Sequence, residues 1–198
     1  MDRETFNHFV AILTFLETAG IPHAVGGAVA MAAYGYNRAT SDIDIFIDPN
    51  QLDPVLGAMR ALGYNVRLVF DETHYEVSSP ELDRRRGDRE AHADLLFASA
   101  DPDWSALMAP DLARIYDREI SVFPAVLLAA AKFYAGRVKD ELDLVEMLSR
   151  GIYNPVEVQA MLRAMQDEEA ALAFEAMVAR WRAPRPRRNR PPKGTLRR

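Results

Sequence analysis

The chain has 198 residues, of which 49% are hydrophobic and 27% charged, so it can form one folded domain with a core and is not globally disordered. It contains no cysteine, which excludes disulfide bonds, a thiolate nucleophile and cysteine-ligated zinc. The net charge is −5, and because residues 182–198 carry eight Lys and Arg without an acid, residues 1–181 carry −13. An acidic body disfavours clamping of duplex nucleic acid and suits a protein with metal-binding carboxylates.

Residue periodicity predicts alternating helices and strands in the first two thirds of the chain. The predicted elements are a helix at 3–19, a strand at 23–25, a helix ending at Gly35, a strand at 42–48, a helix at 51–62, strands at 66–70, 74–79 and 91–98, and a hairpin at 112–116 and 120–123. The polar residues 80–90 predict a loop, and a connector containing Trp104 precedes the hairpin.

From Pro124 to Trp181 the pattern is helical, with breaks near Gly136, at residues 151–155 and near Gln166. The Pro- and Arg-rich end cannot bury a core, which predicts a disordered tail. We therefore predict an α/β (α+β) fold, with a mixed sheet flanked by helices and a C-terminal helical region. The predicted units are an α/β core at 1–123, a packed helical region at 124–181 and the basic tail at 182–198.

The N-terminus begins with an acidic, helical pattern and lacks the basic start of a leader peptide. No apolar stretch approaches the roughly 20 residues that cross a bilayer. We therefore expect a cytoplasmic protein without a membrane segment.

The segment DIDIFID alternates acidic and apolar side chains with period two, which places Asp42 and Asp44 on one face of a strand. Neighbouring carboxylates in a partly buried site repel one another, and a hard divalent cation such as Mg²⁺ relieves that repulsion. Asp94 lies in an otherwise apolar strand, where an unpaired charge is costly, and is our candidate for a third carboxylate. Asp48 is the alternative, although its position at the far end of the strand favours a solvated turn residue.

Gly26 and Gly27 join a short strand to a helix upstream of the carboxylates. Without side chains the backbone can approach a phosphate closely, and the amides of a helix start point towards it. The same pair is also compatible with a plain tight turn. The sequence therefore offers a candidate phosphate site, which one helix separates from the carboxylate strand.

Structural interpretations compete with these functional ones. Asp42 and Asp44 are compatible with a solvated strand face or with ion pairs to Arg38. Asp94 is compatible with a bond to a buried arginine or to a helix start. Arg38 suits a bidentate phosphate contact and a neutralising role for the aspartates equally well. His92, two residues before Asp94 on the same strand face, is a candidate for a substrate contact.

The segment VGGAVAMAAYGYNRATSDIDIFID resembles the signature of the DNA polymerase beta-like nucleotidyltransferase superfamily, a glycine pair followed after a helix by Asp-x-Asp on a strand. Its form looks most like the minimal bacterial nucleotidyltransferases and the AbiEii-type toxins of abortive-infection systems. The segment LLAAAKFYAGRVKDELDLVEML is similar to the helical part that those families place after the catalytic sheet. The resemblance covers about residues 20–150 and implies a small mixed nucleotidyltransferase-type sheet.

Together with the residue chemistry, the resemblance implies roles for nine residues. Metal binding and catalysis fall to Asp42, Asp44 and Asp94, and nucleotide binding to Gly26, Gly27, Arg38, Lys132, Lys139 and Asp140. Many members have a serine at the position of Gly27, and its hydroxyl touches a phosphate. Considered alone, Lys132 and Lys139 also suit surface positions on amphipathic helices.

The activity that the resemblance implies is the metal-dependent transfer of a nucleoside monophosphate, AMP from ATP in the first instance, to an acceptor hydroxyl with release of pyrophosphate. Two Mg²⁺ ions are the expected cofactors, with Mn²⁺ as a substitute. The acceptor is left open between tRNA, a protein hydroxyl and a small molecule, and the toxin resemblance adds an antitoxin as a candidate partner. The alternatives are a non-catalytic interaction module with the same fold and a metal-dependent phosphohydrolase.

Overall fold

The computed structural model describes residues 1, 3–79, 92–98 and 102–183. The predicted loop at 80–90 and the tail beyond residue 183 lie outside these residues. In chain order the described elements are α1 (Arg3–Thr18), β1 (His23–Val25), α2 (Gly27–Ala33), β2 (Ile43–Ile47), a 3-10 turn (Pro49–Gln51), α3 (Leu52–Ala61), β3 (Asn65–Phe70), β4 (His74–Ser78), β5 (Ala93–Phe97), α4 (Asp103–Met108), β6 (Asp111–Ile115), β7 (Arg118–Val122), α5 (Ala125–Ala135), α6 (Val138–Ser149), α7 (Pro155–Ala164) and α8 (Glu168–Arg182).

The helices and strands predicted within these ranges are confirmed, and their ends differ from the prediction by one or two residues. The exception is α4, which lies in the segment expected to be a connector. Six residues are too few for helical periodicity to be distinguished from an irregular loop.

The strands of the described part form one mixed sheet with the order β3-β4-β5-β2-β1-β7-β6. β2 runs parallel to β5 and antiparallel to β1, while β1 runs parallel to β7. The strand that carries the Asp-x-Asp pair therefore lies at the centre of the sheet. Its hydrogen-bonded neighbour is the strand that carries Asp94. The predicted α/β (α+β) class with C-terminal helices is confirmed.

One face of the central strands builds the hydrophobic core. Ile43, Ile45 and Ile47 of β2 are fully buried, as are Ala93 and Leu95 of β5. Because side chains alternate along a strand, the acids of β2 and β5 point to the opposite face. The apolar stripe predicted on α1 is also buried in the core: Phe6, Phe9, Leu13 and Leu16.

Local capping residues set the ends of the helices that follow the sheet. Gly136 adopts a left-handed conformation (φ 62°) that ends α5. The side chain of Asn154 accepts a hydrogen bond from the backbone of Val156 at the start of α7, and Asp167 caps α8 in the same way. Among the helices of the described ranges, none has the length and apolar character that crossing a bilayer requires. The division of the chain after residue 123 stays a prediction.

Candidate active site

The pairing of β2 with β5 brings the three predicted carboxylates together. In the parallel register Asp44 of β2 lies beside Asp94 of β5, and Asp42 directly precedes β2. One ligand atom from each of Asp42, His92 and Asp94 lies within 4.8 Å of the other two. Adjacent positions on neighbouring strands share a face of the sheet, so the strand register itself assembles this cluster.

A cleft of about 1130 Å³ lies along this face of the sheet. One side of it consists of β2 and β5, and the other of α5 and the start of α6. Gly26 lines a smaller cavity of about 100 Å³, which shares wall residues with the cleft. The remaining eight predicted site residues all line the cleft itself: Gly27, Arg38, Asp42, Asp44, Asp94, Lys132, Lys139 and Asp140.

The glycine turn packs directly against the carboxylate strand. Gly27 has a φ of +56°, and a Cβ atom there would lie 1.6 Å from Oδ2 of Asp44. A Cβ atom at Gly26 would lie 2.7 Å from Cε2 of Phe46. The backbone N–H of Gly26 donates to the carbonyl of Asp44 at 2.9 Å. A side chain at Gly26 would therefore have to displace the Phe46 ring, and a serine at Gly27 would clash with the Asp44 carboxylate in a conformation that L-residues rarely adopt.

Asp44 has a perturbed carboxylate. Its pKa is raised from an ordinary 3.8 to about 6, mainly by burial and also by the charges of Asp42 and Asp94, against which Lys132 and Lys139 act in the lowering direction. Within the described part of the chain, no cationic side chain lies within 4.0 Å of the Asp42 or Asp44 carboxylate. The described residues therefore compensate the like charges at this position only partly.

Asp94 lies between two histidines. Nε2 of His74 is 2.9 Å from its Oδ1, which is a hydrogen-bond distance, and Nε2 of His92 is 3.6 Å from its Oδ2. Burial raises the pKa of Asp94, but the two imidazoles outweigh burial and hold the pKa below its ordinary value. The carboxylate is therefore ionised at neutral pH. The position of His74 was not predicted, because it depends on the register between β4 and β5.

The two ends of β2 carry acids with different surroundings. The hydroxyl of Thr40 donates a hydrogen bond to Oδ1 of Asp42 at the cleft. At the other end, Oδ1 of Asp48 accepts hydrogen bonds from the backbone and the side-chain amide of Asn50, at 2.8 and 2.9 Å. Asp48 thus caps the 3-10 turn, in agreement with its interpretation as a turn residue.

A buried charge network forms the wall opposite the carboxylates. Nζ of Lys132 donates to Asp140 at 3.2 Å and to Asp143 at 2.7 Å, and the three residues are almost fully buried. Arg137 adds a bond from Nε to Asp140 at 2.5 Å. Lys132 is therefore not a surface residue of an amphipathic helix. Asp143 was missed in the sequence, although its spacing of three residues from Asp140 places both on one face of α6.

The two other predicted cations have separate environments. Nε of Arg38 lies 3.3 Å from Oδ1 of Asp143, so Arg38 neutralises the helical wall and not the Asp-x-Asp pair. Lys139 is exposed at the edge of the cleft. In the described residues it has no carboxylate within 4.0 Å, which leaves its ammonium group available to an anionic ligand.

These donors fit a divalent cation. Asp42, Asp44 and Asp94 supply carboxylate oxygens on one face, and among the residues that the structure describes no Lys or Arg lies within 4.0 Å of the carboxylates of Asp42, Asp44 or Asp94. A bound cation would relieve the repulsion that raises the pKa of Asp44. The cleft beside it has room for a ligand, with the exposed Lys139 at its edge.

The fold is similar to that of the antibiotic-resistance factor ANT(2'')-Ia, with a TM-score of 0.54 and 18% sequence identity over 91% of this chain and 96% of that protein. A structure of ANT(2'')-Ia in complex with adenylyl-2''-tobramycin gives a TM-score of 0.52 and 16% identity over 91% of this chain and 99% of the other. An antigenic nucleotidyltransferase-like protein from Paracoccidioides brasiliensis gives a TM-score of 0.53 and 15% sequence identity over 86% of this chain and 93% of that protein. At these identities the likeness establishes the fold, which is that of the nucleotidyltransferases.

The enzyme class follows from this fold and from a match to a family model, so the protein is a nucleotidyltransferase. The model, described as aminoglycoside-2''-adenylyltransferase, matches residues 8–147, which is more than half of the chain. The chain belongs to this family. No curated protein matches it significantly. The predicted nucleotidyltransferase superfamily is thereby confirmed, whereas the AbiEii-type toxin subtype stays a prediction.

Proposed function

We propose that the protein transfers AMP from ATP to a hydroxyl group of a small polyamine sugar of the aminoglycoside type and releases pyrophosphate. The observation that carries the proposal is that Asp42, Asp44 and Asp94 line one large cleft, with Asp44 beside Asp94 in the strand register, in a chain that belongs to an adenylyltransferase family. The non-catalytic alternative offers no reason for three acids to converge where their repulsion raises a pKa.

The carboxylates would hold the cofactor, for which we propose two Mg²⁺ ions, with Mn²⁺ as a substitute. Asp42 and Asp44 would contact both ions, and Asp94 would contact one. When bound, such ions neutralise phosphate charge and stabilise the attacking and leaving oxygens of an in-line displacement. The lowered pKa of Asp94 suits a group that stays ionised and holds a cation, and makes it a weak proton acceptor.

The triphosphate would lie between the glycine turn and the helical wall. The backbone at Gly26 and Gly27 is free of side chains and borders both cavities. We assign the β- and γ-phosphates to Lys139, because its ammonium group is exposed. Lys132 and Asp140 would brace this wall instead, since their charges already satisfy each other. Arg38, whose side chain is 30% exposed, can reach a phosphate from the other side.

A small cationic acceptor fits the charge of the molecule. Residues 1–181 carry a net charge of −13, and aspartates line the cleft. Protonated amines of an aminoglycoside are attracted to such a surface, whereas the phosphates of an RNA are repelled. We therefore prefer a small molecule over tRNA or a protein hydroxyl. The toxin role and the antitoxin partner stay predictions from the sequence resemblance.

The decisive experiment is incubation of the purified chain with Mg²⁺, ATP labelled at the α-phosphate and a panel of aminoglycosides. We expect the label to move to the acceptor with one pyrophosphate released per transfer. Asp44→Asn should abolish transfer while leaving the fold intact, and the matched control Asp48→Asn, at the other end of β2, should retain it. Transfer by Asp44→Asn at the wild-type rate would refute the site. Label transfer to tRNA or protein in a cell extract, but to no small molecule, would refute the acceptor class.

A further inference from the structure

His92 lies within the carboxylate cluster, although neither the sequence resemblance nor the proposed reaction gives it a role. It directly precedes β5, and its side chain is one quarter exposed. Its Nε2 atom is 3.6 Å from Oδ2 of Asp94. One ligand atom of Asp42 completes a group of three atoms that lie within 4.8 Å of one another. Two carboxylates and one imidazole are therefore within reach of a single ion.

The distance between Nε2 of His92 and Oδ2 of Asp94 is compatible with two ligands of one ion. Two ligands at about 2.1 Å from a six-coordinate ion are about 3 Å apart when adjacent and about 4.2 Å apart when opposite. The 3.6 Å between His92 and Asp94 falls between these values; it is longer than an ordinary hydrogen bond, although the imidazole still lowers the pKa of Asp94. Because the three atoms lie within 4.8 Å of one another, closing the group around one ion requires side-chain rotations that bring any separation above about 4.2 Å below that value.

The second histidine has a different relation to the same carboxylate. Nε2 of His74 lies 2.9 Å from Oδ1 of Asp94, at hydrogen-bond distance. Such a contact holds one oxygen of a metal-binding carboxylate and orients the other. Oδ2 is the oxygen that lies nearer to His92, which belongs to the group of three candidate ligands. His74 is therefore suited to positioning Asp94, and His92 to binding beside it.

We propose that His92 is a direct ligand of the divalent ion that Asp42 and Asp94 hold, and that it shifts the preference of this position from Mg²⁺ towards a first-row transition ion. The inference rests on the proposed metal site and adds the ligand and the ion class. Mg²⁺ selects oxygen ligands, whereas imidazole binds first-row transition ions well. A site with two carboxylates and an imidazole therefore gains affinity for Mn²⁺ that an all-carboxylate site lacks.

Electron paramagnetic resonance of Mn²⁺ bound to the untagged full chain tests this without reference to activity. The free-ion signal measures how much Mn²⁺ is bound, and pulsed measurements detect coupling to a ligand ¹⁴N nucleus. Inorganic tripolyphosphate is the added ligand, because it supplies phosphate oxygens and no nitrogen. We expect ¹⁴N coupling in the wild type and its loss in His92→Gln. The Mn²⁺ affinity of that variant should fall by about tenfold or more, while its Mg²⁺ affinity stays within about twofold.

His74→Gln is the matched control, since it removes the neighbouring imidazole and should retain the ¹⁴N coupling. Thermal unfolding and circular dichroism establish that both variants are folded, and His92→Asn provides a second test of the same position. Mn²⁺ bound without ¹⁴N coupling in the wild type, or coupling that persists in folded His92→Gln, overturns the role of His92 alone. A wild-type chain that binds neither Mn²⁺ nor Mg²⁺ overturns the metal site of the proposed function as well.

Discussion

The carboxylate of Asp44 occupies the space in which a side chain at Gly27 would begin. Its Oδ2 atom lies 1.6 Å from the position of a Cβ atom there, and the φ of +56° disfavours any L-residue. The position of the Asp44 carboxylate therefore depends on the absence of a side chain at Gly27. A serine at this position, which the sequence resemblance associates with a phosphate contact, would here displace the carboxylate of Asp44.

Gly27→Ser is therefore expected to inactivate the protein and not to improve nucleotide binding. The serine side chain would push Asp44 out of place and add strain from the positive φ, so the free energy of unfolding should fall by more than about 1 kcal/mol. Denaturant unfolding and AMP-transfer assays measure the two effects.

Gly20→Ala is the matched control for this substitution. Gly20 has a similar φ of +65°, but a Cβ atom there meets no atom within 4 Å. Gly20→Ala should lower the free energy of unfolding by about 1 kcal/mol, which is the cost of backbone strain alone, and should keep normal activity. Equal loss of activity in the two variants, or full activity of Gly27→Ser, would contradict the steric explanation.

Asp44→Asn should stabilise the metal-free protein at pH 7.5 while abolishing activity. Folded Asp44 keeps its proton up to a pKa of about 6, compared with an ordinary 3.8, so the wild type loses stability as the pH rises through this window. A difference of about two pKa units corresponds to at most about 3 kcal/mol. The gain from the neutral asparagine should therefore be present above pH 6 and disappear towards pH 4.

Urea unfolding in EDTA at pH 7.5 and near pH 4 measures the difference in the free energy of unfolding between Asp44→Asn and the wild type. Mg²⁺ provides the control, since it should stabilise the wild type, by relieving the repulsion, more than it stabilises the variant. If Asp44→Asn is less stable than the wild type at pH 7.5 without metal, burial and the neighbouring carboxylates do not destabilise the ionised form of Asp44 as proposed.

The face of β2 that carries the acids was predictable from sequence, because side-chain alternation is a local property. The register that sets Asp44 beside Asp94, and the pairing that brings His74 to Asp94, were not predictable, because they depend on pairing between strands that are distant in the chain. The close approach of Gly27 to Asp44 was hidden for the same reason. A glycine in place of a serine looked like a lost phosphate contact, whereas the structure shows a space already filled.

The helical wall illustrates a second limit of the sequence. The spacing of Asp140 and Asp143 predicts a shared helix face, which is again local. That Lys132 lies buried between them depends on how α5 packs against α6, which periodicity does not specify. The choice between a surface lysine and a buried one therefore needed the structure.

Lys132→Met and Lys139→Met should differ in what they impair. Lys132→Met should lower stability, whereas Lys139→Met should weaken nucleotide binding. Lys132→Met removes the buried cation that Asp140 and Asp143 share and leaves them the more exposed Arg137 and Arg38, so it should lower the free energy of unfolding by about 3–5 kcal/mol. Lys139 is exposed, so its replacement should change stability by less than about 0.5 kcal/mol. If Lys139 binds phosphate, KM for ATP should rise at least several-fold in Lys139→Met. A normal KM in that variant would remove Lys139 from the nucleotide site.

Deletion of residues 184–198 separates the two acceptor classes. These residues contain seven of the eight basic side chains near the C-terminus, which would supply most of any electrostatic affinity for RNA. For a small cationic acceptor we expect kcat/KM of the truncated chain to stay within about twofold of that of the full chain. The positive charge of residues 184–198 repels such a substrate only weakly, so its removal should change little. An RNA acceptor would instead lose affinity on truncation, and its binding to the full chain would fall steeply with salt. Titrations with an aminoglycoside and with tRNA, each at low and at physiological ionic strength, therefore decide whether the acidic cleft or the basic tail selects the acceptor.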